Sequence, residues 1–304
     1  MCMVQNNIIF SLEIFKYKTI NKLSMANIFS RSFQLAKESF RLLLLDKELL
    51  LFPMASGFFI VLILVTFIFP LFLVGAVFSR STSGVAFYLW LFLFYLVSYF
   101  ISIFFNVAIV SCVSMRLKGK DPLFMDGIRS SFKNIHRIFM WAAASATVGF
   151  VLNTLERKSE GWISRLIISF IGIAWTLATF FIIPVMIFEN KGVIGSIKRS
   201  SEIFRNTLGE SVIGQFGMGM FFFVLVLASV VLSFIIGFVI APLSSLSGII
   251  IGVIVFSTLL LLIIILSSVL NTIYMTALYT YATTKKVPAG FSREFIQNAY
   301  ARKA

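Results

Sequence analysis

Five long stretches without a charged residue constrain this chain more than any other feature. Asp, Glu, Lys and Arg are absent from residues 49–79, 81–115, 138–155, 166–188 and 211–284. About 20 apolar residues carry a helix across the bilayer core, so each of the first four stretches predicts one membrane-spanning helix. The fifth is long enough for two, and the turn-forming residues 241–248 predict where the first of them ends.

We therefore predict an all-α integral membrane protein with six transmembrane helices. The spans are expected at about 51–78, 86–114, 138–156, 163–188, 212–240 and 248–282. Charged residues make up only 12% of the chain, against about a quarter in soluble domains, which supports this class.

The distribution of basic residues predicts the orientation, because Lys and Arg accumulate in cytoplasmic loops. Of the 26 Lys and Arg residues, 22 lie in the segments 1–48, 113–137, 189–211 and 285–304, which share one side of the membrane. Arg80, Arg157, Lys158 and Arg165 lie on the other side. We predict a multi-pass protein of the cell membrane with both termini in the cytoplasm. The net charge of +14 follows from this asymmetry and does not indicate nucleic-acid binding.

The predicted membrane domain covers residues 25–284 and leaves a segment at each end. Residues 1–24 do not have the order of a secretory signal, because Glu13 interrupts the apolar stretch 8–15 and the basic residues follow it. We interpret them as an N-terminal tail or an overextended start before Met25. Residues 285–304 predict a basic cytoplasmic tail.

Three basic segments share one pattern of spacing: residues 27–40, 127–139 and 196–208. When Ser32, Ser131 and Ser200 are aligned, apolar residues recur three positions before, four after and eight after the serine. This spacing is typical of one face of a helix, and basic amphipathic helices lie in the membrane interface. Asp121 and Pro122 predict the start of the second such helix, as an acidic N-cap followed by proline.

Each basic segment precedes a pair of predicted spans. The sequence therefore predicts three parallel hairpin repeats, each preceded by a cytoplasmic amphipathic helix and related by an axis along the membrane normal. The alternative is that any amphipathic helix before a span produces the same pattern.

The basic residues of these segments are candidates for contact with anionic lipid headgroups. The candidates are Arg31, Lys37, Arg129, Lys133, Lys198, Arg199 and Arg205. A negatively charged membrane surface attracts each nearby Lys or Arg by about 1 kcal/mol. The alternative is that these charges only set the topology.

Asn106 and Asn271 are the candidates for an intramembrane polar site. They align when "FFNVAIVSCV" (104–113) is placed on "VLNTIYMTALY" (269–279). One interpretation is a polar cavity or substrate site. The other, which we favour, is an interhelical hydrogen bond worth about 0.6–2 kcal/mol.

Small residues and a proline predict how two spans pack. Ser229, Ser233, Gly237 and Ala241 recur every four residues in the fifth span, a spacing that lets two helices approach closely. Pro184 predicts a kink in the fourth span, because proline removes one backbone hydrogen bond of the helix.

Catalytic chemistry has little support in this sequence. The charge-free stretches that predict the spans contain no acid or base, which argues against a proton-coupled transporter. His136 has no evident acid partner, and Cys2 and Cys112 form no CxxC motif. We predict no catalytic residue, no cofactor and no metal site.

Three blocks carry a family resemblance: "RSFQLAKESFRLLLLDKELLLFP" (31–53), "GKDPLFMDGIRSSFKNIHRIFMWAAASATVGFVL" (119–152) and "WTLATFFIIPVMIFENKGVIGSIKRSSEIFRNTLGE" (175–210). They resemble a domain-of-unknown-function family of six-span prokaryotic membrane proteins. More distantly, the layout resembles the membrane domains of some glycerophosphodiester phosphodiesterases. The resemblance implies the six-span fold and brings no catalytic residues.

We expect a membrane protein without catalytic activity that organises or senses lipid or a partner at the cytoplasmic leaflet. Membrane lipids, including anionic ones, are the expected partners, and no protein partner or oligomeric state follows from the sequence. The alternative is a small-solute or lipid permease with a cavity between the three hairpins.

Overall fold

The computed structural model describes residues 37–77, 85–159, 161–240 and 245–286, and these residues form helices and short connections with no β-strand. The helices are α1 (Leu51–Val77), α2 (Val85–Leu117), α3 (Phe124–Lys133), α4 (Ile135–Lys158), α5 (Trp162–Ala178), α6 (Ile182–Phe188), α7 (Val193–Asn206), α8 (Leu208–Ile240) and α9 (Ser245–Thr284). Residues 37–45 are also helical, and a 3-10 turn (Lys47–Leu50) leads into α1. The predicted tail 1–24, and the predicted basic tail beyond residue 286, lie outside the described residues.

Within the part of the chain that the structure describes, six helical segments are long and apolar enough to cross a membrane, which confirms the predicted all-helical class and the number of spans. They are Lys47–Phe69, Phe87–Leu117, Ile135–Lys158, Trp162–Phe188, Gln215–Ile240 and Leu246–Thr284. Helices suit these stretches because the bilayer core offers no water to hydrogen-bond the backbone, and a helix pairs those groups within the segment.

The fourth span consists of two helices rather than one. Helix α5 ends at Ala178, a turn occupies Thr179–Phe181, and α6 follows. Pro184 lies in the first turn of α6 and has no N–H to donate to the carbonyl of Phe180, four residues earlier. The predicted kink is therefore a full break, placed one turn before the proline.

Two compact units divide the described residues. The first contains residues 41–211 and 268–286, and its centre is α2, which contacts α1, α3, α4 and α6. Val107, Ala108, Val110 and Val113 of α2 are fully buried. These small and β-branched side chains allow several helices to pack around one.

The second unit contains residues 37–40 and 212–267, and so most of α8 with the first part of α9. A Cβ added at Gly237 would lie 2.9 Å from the carbonyl oxygen of Gly248, and one added at Gly252 would lie 3.3 Å from that of Ser233. Two helix backbones therefore approach closely here. The predicted packing role of the small residues is confirmed for Gly237 and Ser233, whereas Ala241 lies outside the described residues.

Candidate functional site

The serines that align the second and third basic segments are both buried and both bonded to the backbone of the preceding span. Ser131 and Ser200 have no exposed surface. The Ser131 hydroxyl donates to the carbonyl oxygen of Phe104 at 2.8 Å, and the Ser200 hydroxyl accepts from the backbone N–H of Phe181 at 3.0 Å. The two short helices α3 and α7 are thus attached to spans two and four by equivalent residues.

The attached face of α3 consists of small residues, and that of α7 combines small residues with Ile203 and Phe204. Gly127 and Ser196, one helical turn before the serines, are buried. A Cβ at Gly127 would lie 2.7 Å from Phe52 Cζ, 2.8 Å from Cys112 Sγ and 3.0 Å from the carbonyl oxygen of Ala108. Helix α3 therefore lies directly against the ends of α1 and α2.

The spacing of the second basic segment predicted one continuous helix, but the structure divides this segment between two helices. Helix α3 ends at Lys133, and Asn134 separates it from α4. The Asn134 side chain donates to the carbonyl oxygen of Ser130 at 2.9 Å and accepts from Arg137 at 2.9 Å. Ile135 and Phe139, expected on the apolar face of the segment, belong to α4 and are exposed.

The helix start predicted at Asp121 and Pro122 is wrong, because α3 begins at Phe124. The Asp121 carboxylate instead pairs with Arg116. Two other carboxylates hold the start of α3: Glu48 accepts from the Phe124 N–H at 2.6 Å, and Asp126 accepts from the Leu123 N–H at 3.0 Å.

Glu189, directly after α6, is the centre of a cluster of charged and polar side chains. Arg199 Nε donates to both of its carboxylate oxygens at 3.2 Å, and Lys191 Nζ lies 2.9 Å from one of them. The Tyr279 hydroxyl donates to the other at 3.2 Å. Burial acts to raise the pKa of the Glu189 carboxyl, but the hydrogen bonds from Lys191 and Arg199 outweigh it and hold that pKa below its usual 4.5.

Arg137 ties the start of α4 to the loop after α6. Its Nη1 donates to Asn134 Oδ1 and, at 2.7 Å, to Asn190 Oδ1. Asn190 has a φ of 54°, in the left-handed region that asparagine tolerates better than most residues. The chain therefore turns sharply between Glu189 and α7.

A second charged cluster joins the end of α2 to the connection before α1. The Arg116 guanidinium lies 3.6 Å from Asp46 Oδ2 and donates to the carbonyl oxygen of Leu45 at 3.1 Å. Asp46 is buried, and burial raises the pKa of its carboxyl more than Arg116 lowers it. By chain topology this cluster lies at the same end of the spans as Glu189.

Most of the predicted headgroup residues within the described part of the chain are exposed. Lys37, Arg129, Lys133, Lys198 and Arg205 are exposed and have no carboxylate within 4.0 Å among the described residues. Arg199 differs, because Glu189 and, at 3.5 Å, Glu202 occupy its guanidinium. Arg31 lies outside the described residues.

Apolar side chains are exposed on the same two short helices. Met125 and Phe132 of α3 are 59% and 58% exposed, and Ile194 of α7 is 83% exposed. By helical geometry these residues and the exposed cations point away from the buried face of Gly127, Ser131, Ser196 and Ser200. The outward surface of α3 and α7 thus combines positive charge with apolar side chains.

Asn106 and Asn271 each hold a buried oxygen that lacks a partner. Neither side-chain Oδ1 has a hydrogen-bond donor among the described residues, although both atoms are buried. The interhelical hydrogen bond that we favoured is therefore not made by these oxygens. A buried carbonyl oxygen without a donor costs about 1–3 kcal/mol, so each one requires an explanation.

The sequence did not single out Glu189, Tyr279, Arg137, Asp46 or Arg116. The only signal was position, because each lies near the boundary of a charge-free stretch. His136, the one histidine, is exposed in the first turn of α4. Over the described ranges, no three His, Cys, Asp or Glu side chains are grouped so that they could hold a metal ion.

Comparisons with known proteins place the chain in a family but not beside a characterised protein. No curated protein and no solved structure matches it. The distant resemblance to glycerophosphodiester phosphodiesterase membrane domains, and a prokaryotic origin, therefore stay expectations. A family model matches residues 85–291, more than half of the chain, so this protein belongs to the family of unknown function DUF6159.

Proposed function

We propose that this protein is a non-catalytic membrane protein that binds anionic lipid at the cytoplasmic leaflet of the cell membrane. In this proposal the six spans form three parallel hairpins with both termini in the cytoplasm. Each hairpin is preceded by an amphipathic helix, and α3 and α7 are the second and third of these. The protein organises or senses lipid through them.

The observation that carries the proposal is the outward surface of α3 and α7. Arg129, Lys133, Lys198 and Arg205 are exposed without a carboxylate partner among the described residues, beside exposed apolar side chains. Apolar groups of an interfacial helix enter the boundary between headgroups and acyl chains, and cations bind the headgroup phosphates. Arg199 is not part of this surface, since two carboxylates already neutralise it.

The test replaces Arg129, Lys133, Lys198 and Arg205 with glutamine in the full chain. Lipids that copurify from mixed anionic and zwitterionic nanodiscs are then quantified by mass spectrometry. At about 1 kcal/mol per basic residue, the enrichment of anionic lipid should fall tenfold or more. The apparent melting temperature should change little, because these side chains are exposed.

The matched control replaces Arg157, Lys158 and Arg165, exposed cations at the opposite ends of the spans. This variant should retain most of the anionic enrichment, because its charges are not on the proposed surface. Equal losses in both variants would mean that net charge alone attracts the lipid. Undiminished enrichment in the first variant would contradict the proposal.

A second function, a small-solute or lipid permease, is favoured by the buried oxygens of Asn106 and Asn271. A water or a polar ligand beside each would supply the missing donor. The test introduces single cysteines at these positions in a background without Cys2 and Cys112, and measures labelling by a membrane-impermeant thiol reagent.

Val107 and Val269 are matched controls, because they lie one residue after Asn106 and two residues before Asn271 and are fully buried. Fast labelling at 106 and 271 with slow labelling at 107 and 269 would make a permease the better function. Slow labelling at all four positions would leave the asparagines as packed residues.

A further inference from the structure

Helix α6 is a short buried element between two interruptions of the chain. Ile182, Ile183, Pro184, Val185 and Met186 are all buried. The turn Thr179–Phe181 precedes the helix, and Glu189 and the left-handed Asn190 follow it. Helix α6 is therefore not a continuous extension of α5, the other helix of span four.

The first interruption is bonded both within span four, where the Thr179 N–H donates to the carbonyl oxygen of Trp175 at 3.0 Å, and to α7. In a continuous helix the N–H of Phe181 would donate to the carbonyl of Leu177, which instead accepts from Phe180 at 3.4 Å. The Phe181 N–H donates to Ser200 Oγ at 3.0 Å, and both residues have no exposed surface. Without this acceptor, a buried N–H would lack a partner.

The second interruption is attached to the adjacent residue of α7. Arg199 holds Glu189 through two contacts of 3.2 Å. Arg199 and Ser200 thus bind the two ends of α6, eight residues apart in the chain. The rings of Phe180 and Phe204, 5.7 Å apart, add a further contact near the first interruption.

Helix α5 is held less firmly than α6. It contacts α4 and α7, yet it contains no fully buried residue. The three residues of the turn connect it to α6 along the chain, and α7 contacts both helices. Regular helix stops at the turn Thr179–Phe181, which we call the hinge.

We propose that α6 and α7 move as one body about this hinge, so that lipid bound to the outward surface of α7 changes the break inside span four. The lipid part of this inference rests on the proposed function. The mechanical part rests only on the contacts of Ser200 and Arg199. The outward surface of α7 presents Lys198 and Arg205, on the opposite side of the helix from Ser200.

Hydrogen exchange at the Phe181 amide tests the mechanical part in the full chain in nanodiscs. Ser200→Ala should raise its exchange rate about tenfold, because the variant removes the acceptor. Ser201→Ala is the matched control. Among the described residues the Ser201 hydroxyl bonds the carbonyl oxygen of Lys198 on its own helix, so its loss should leave the exchange at Phe181 unchanged. Ser200→Thr keeps the hydroxyl and should restore slow exchange.

Arg199→Gln separates one moving body from two independent contacts. This variant leaves Ser200 in place but releases Glu189. If α6 and α7 move as one body, the exchange at Phe181 should become at least threefold faster, which is the effect expected from losing part of a charged contact. Unchanged exchange at Phe181 in Arg199→Gln would overturn the inference. Arg199→Lys keeps the charge, so its exchange rate at Phe181 should lie between those of the wild type and Arg199→Gln.

The lipid part is tested by comparing the same amide in anionic and zwitterionic nanodiscs. The wild-type chain should show a change of threefold or more between the two lipids, and a Lys198→Gln, Arg205→Gln variant should show none. If Arg199→Gln affects Phe181 but lipid does not, the hinge stands and its control by lipid is rejected. If lipid enrichment is also absent, the proposed function fails while the hinge remains.

Discussion

Among single residues, Gly127 shows how closely α3 lies against the spans. Its missing side chain leaves room for Phe52, Cys112 and the backbone of Ala108. Gly127→Ala should destabilise the protein by about 1–3 kcal/mol, because the carbonyl of Ala108 belongs to a buried helix and cannot move aside. The apparent melting temperature of the purified protein measures this loss.

Gly57 provides the control for that substitution. It lies in α1, and a Cβ added there meets nothing within 4 Å. Gly57→Ala should leave the melting temperature equal or slightly higher, because alanine favours helix by up to about 1 kcal/mol over glycine. Similar losses at both positions would show that α3 does not pack as described.

The lowered pKa of Glu189 predicts how the stability of the protein depends on pH. Its pKa is lower in the folded protein, so its stabilising contribution is complete above the usual value of 4.5 and disappears as the pH falls through the folded value. The melting temperatures of the wild type and Glu189→Gln should differ at pH 7 and converge below pH 4.5. Asp46, whose raised pKa acts in the opposite direction, is present in both chains and cancels in the comparison.

Glu202→Gln is the control for Glu189→Gln, because its exposed carboxylate makes only a 3.5 Å contact with Arg199. Exposed pairs contribute about 0–1 kcal/mol, so this variant should resemble the wild type at every pH. A difference between the wild type and Glu189→Gln that persists unchanged at low pH would mean that the carboxylate charge is not what stabilises the cluster.

Among the helices, the pair α8 and α9 depends on close backbone contact within the second unit. Gly237→Ala would place a methyl group 2.9 Å from the carbonyl oxygen of Gly248, so the helices must separate. Packing of small residues holds such pairs together in lipid, and the melting temperature should fall. Gly219→Ala, also in α8 but with nothing within 4 Å of the added Cβ, should have no such effect.

The start of α3 illustrates the limit of local rules at helix ends. Asp121 and Pro122 have the order of an N-cap and a first helical residue, yet Arg116 takes the Asp121 carboxylate. Glu48, 76 residues away in the chain, accepts from the first helical N–H instead. The start of this helix is thus fixed by Asp126 within the helix and by Glu48, a partner that its own sequence does not contain.

For the molecule as a whole, the charge distribution predicts which ends of the spans face the cytoplasm. Single cysteines at Lys133 and Lys198 should react with an impermeant reagent only in inside-out vesicles. Cysteines at Arg157 and Lys158 should react only in right-side-out vesicles. All four positions are exposed, so accessibility does not bias the result. Labelling of both pairs from one side would contradict the predicted orientation.

Much of the fold was predictable because lipid imposes a simple rule. A charge-free stretch of sufficient length must form a helix, so the six spans follow from the positions of Asp, Glu, Lys and Arg. The break before Pro184 and the close approach at Gly237 also follow from local chemistry, one from a missing N–H and the other from a missing side chain.

The candidate site was less predictable, because its contacts join residues far apart in the chain. Periodicity placed an apolar face on the basic segments. In α3 the buried residues are instead Gly127 and Ser131, whereas α7 buries Phe204, which belongs to that face, together with Ile203, Ser196 and Ser200. Small residues allow helix α3 to lie against the spans. The need for a small residue at Gly127 follows only from the positions of Phe52 and Cys112 in the folded chain. The exposed cations at Arg129 and Lys198 were identified from the sequence, since Lys and Arg without a partner are almost never fully buried.

The order of residues thus establishes the number of spans, their class and the position of the basic segments, because each depends on neighbours within a few residues. The partners of Glu189 depend on the folded chain: Arg199 is 10 residues away and Tyr279 is 90. The unpartnered oxygens of Asn106 and Asn271 also depend on the folded chain, because the helix that packs beside a polar atom decides whether a donor is available.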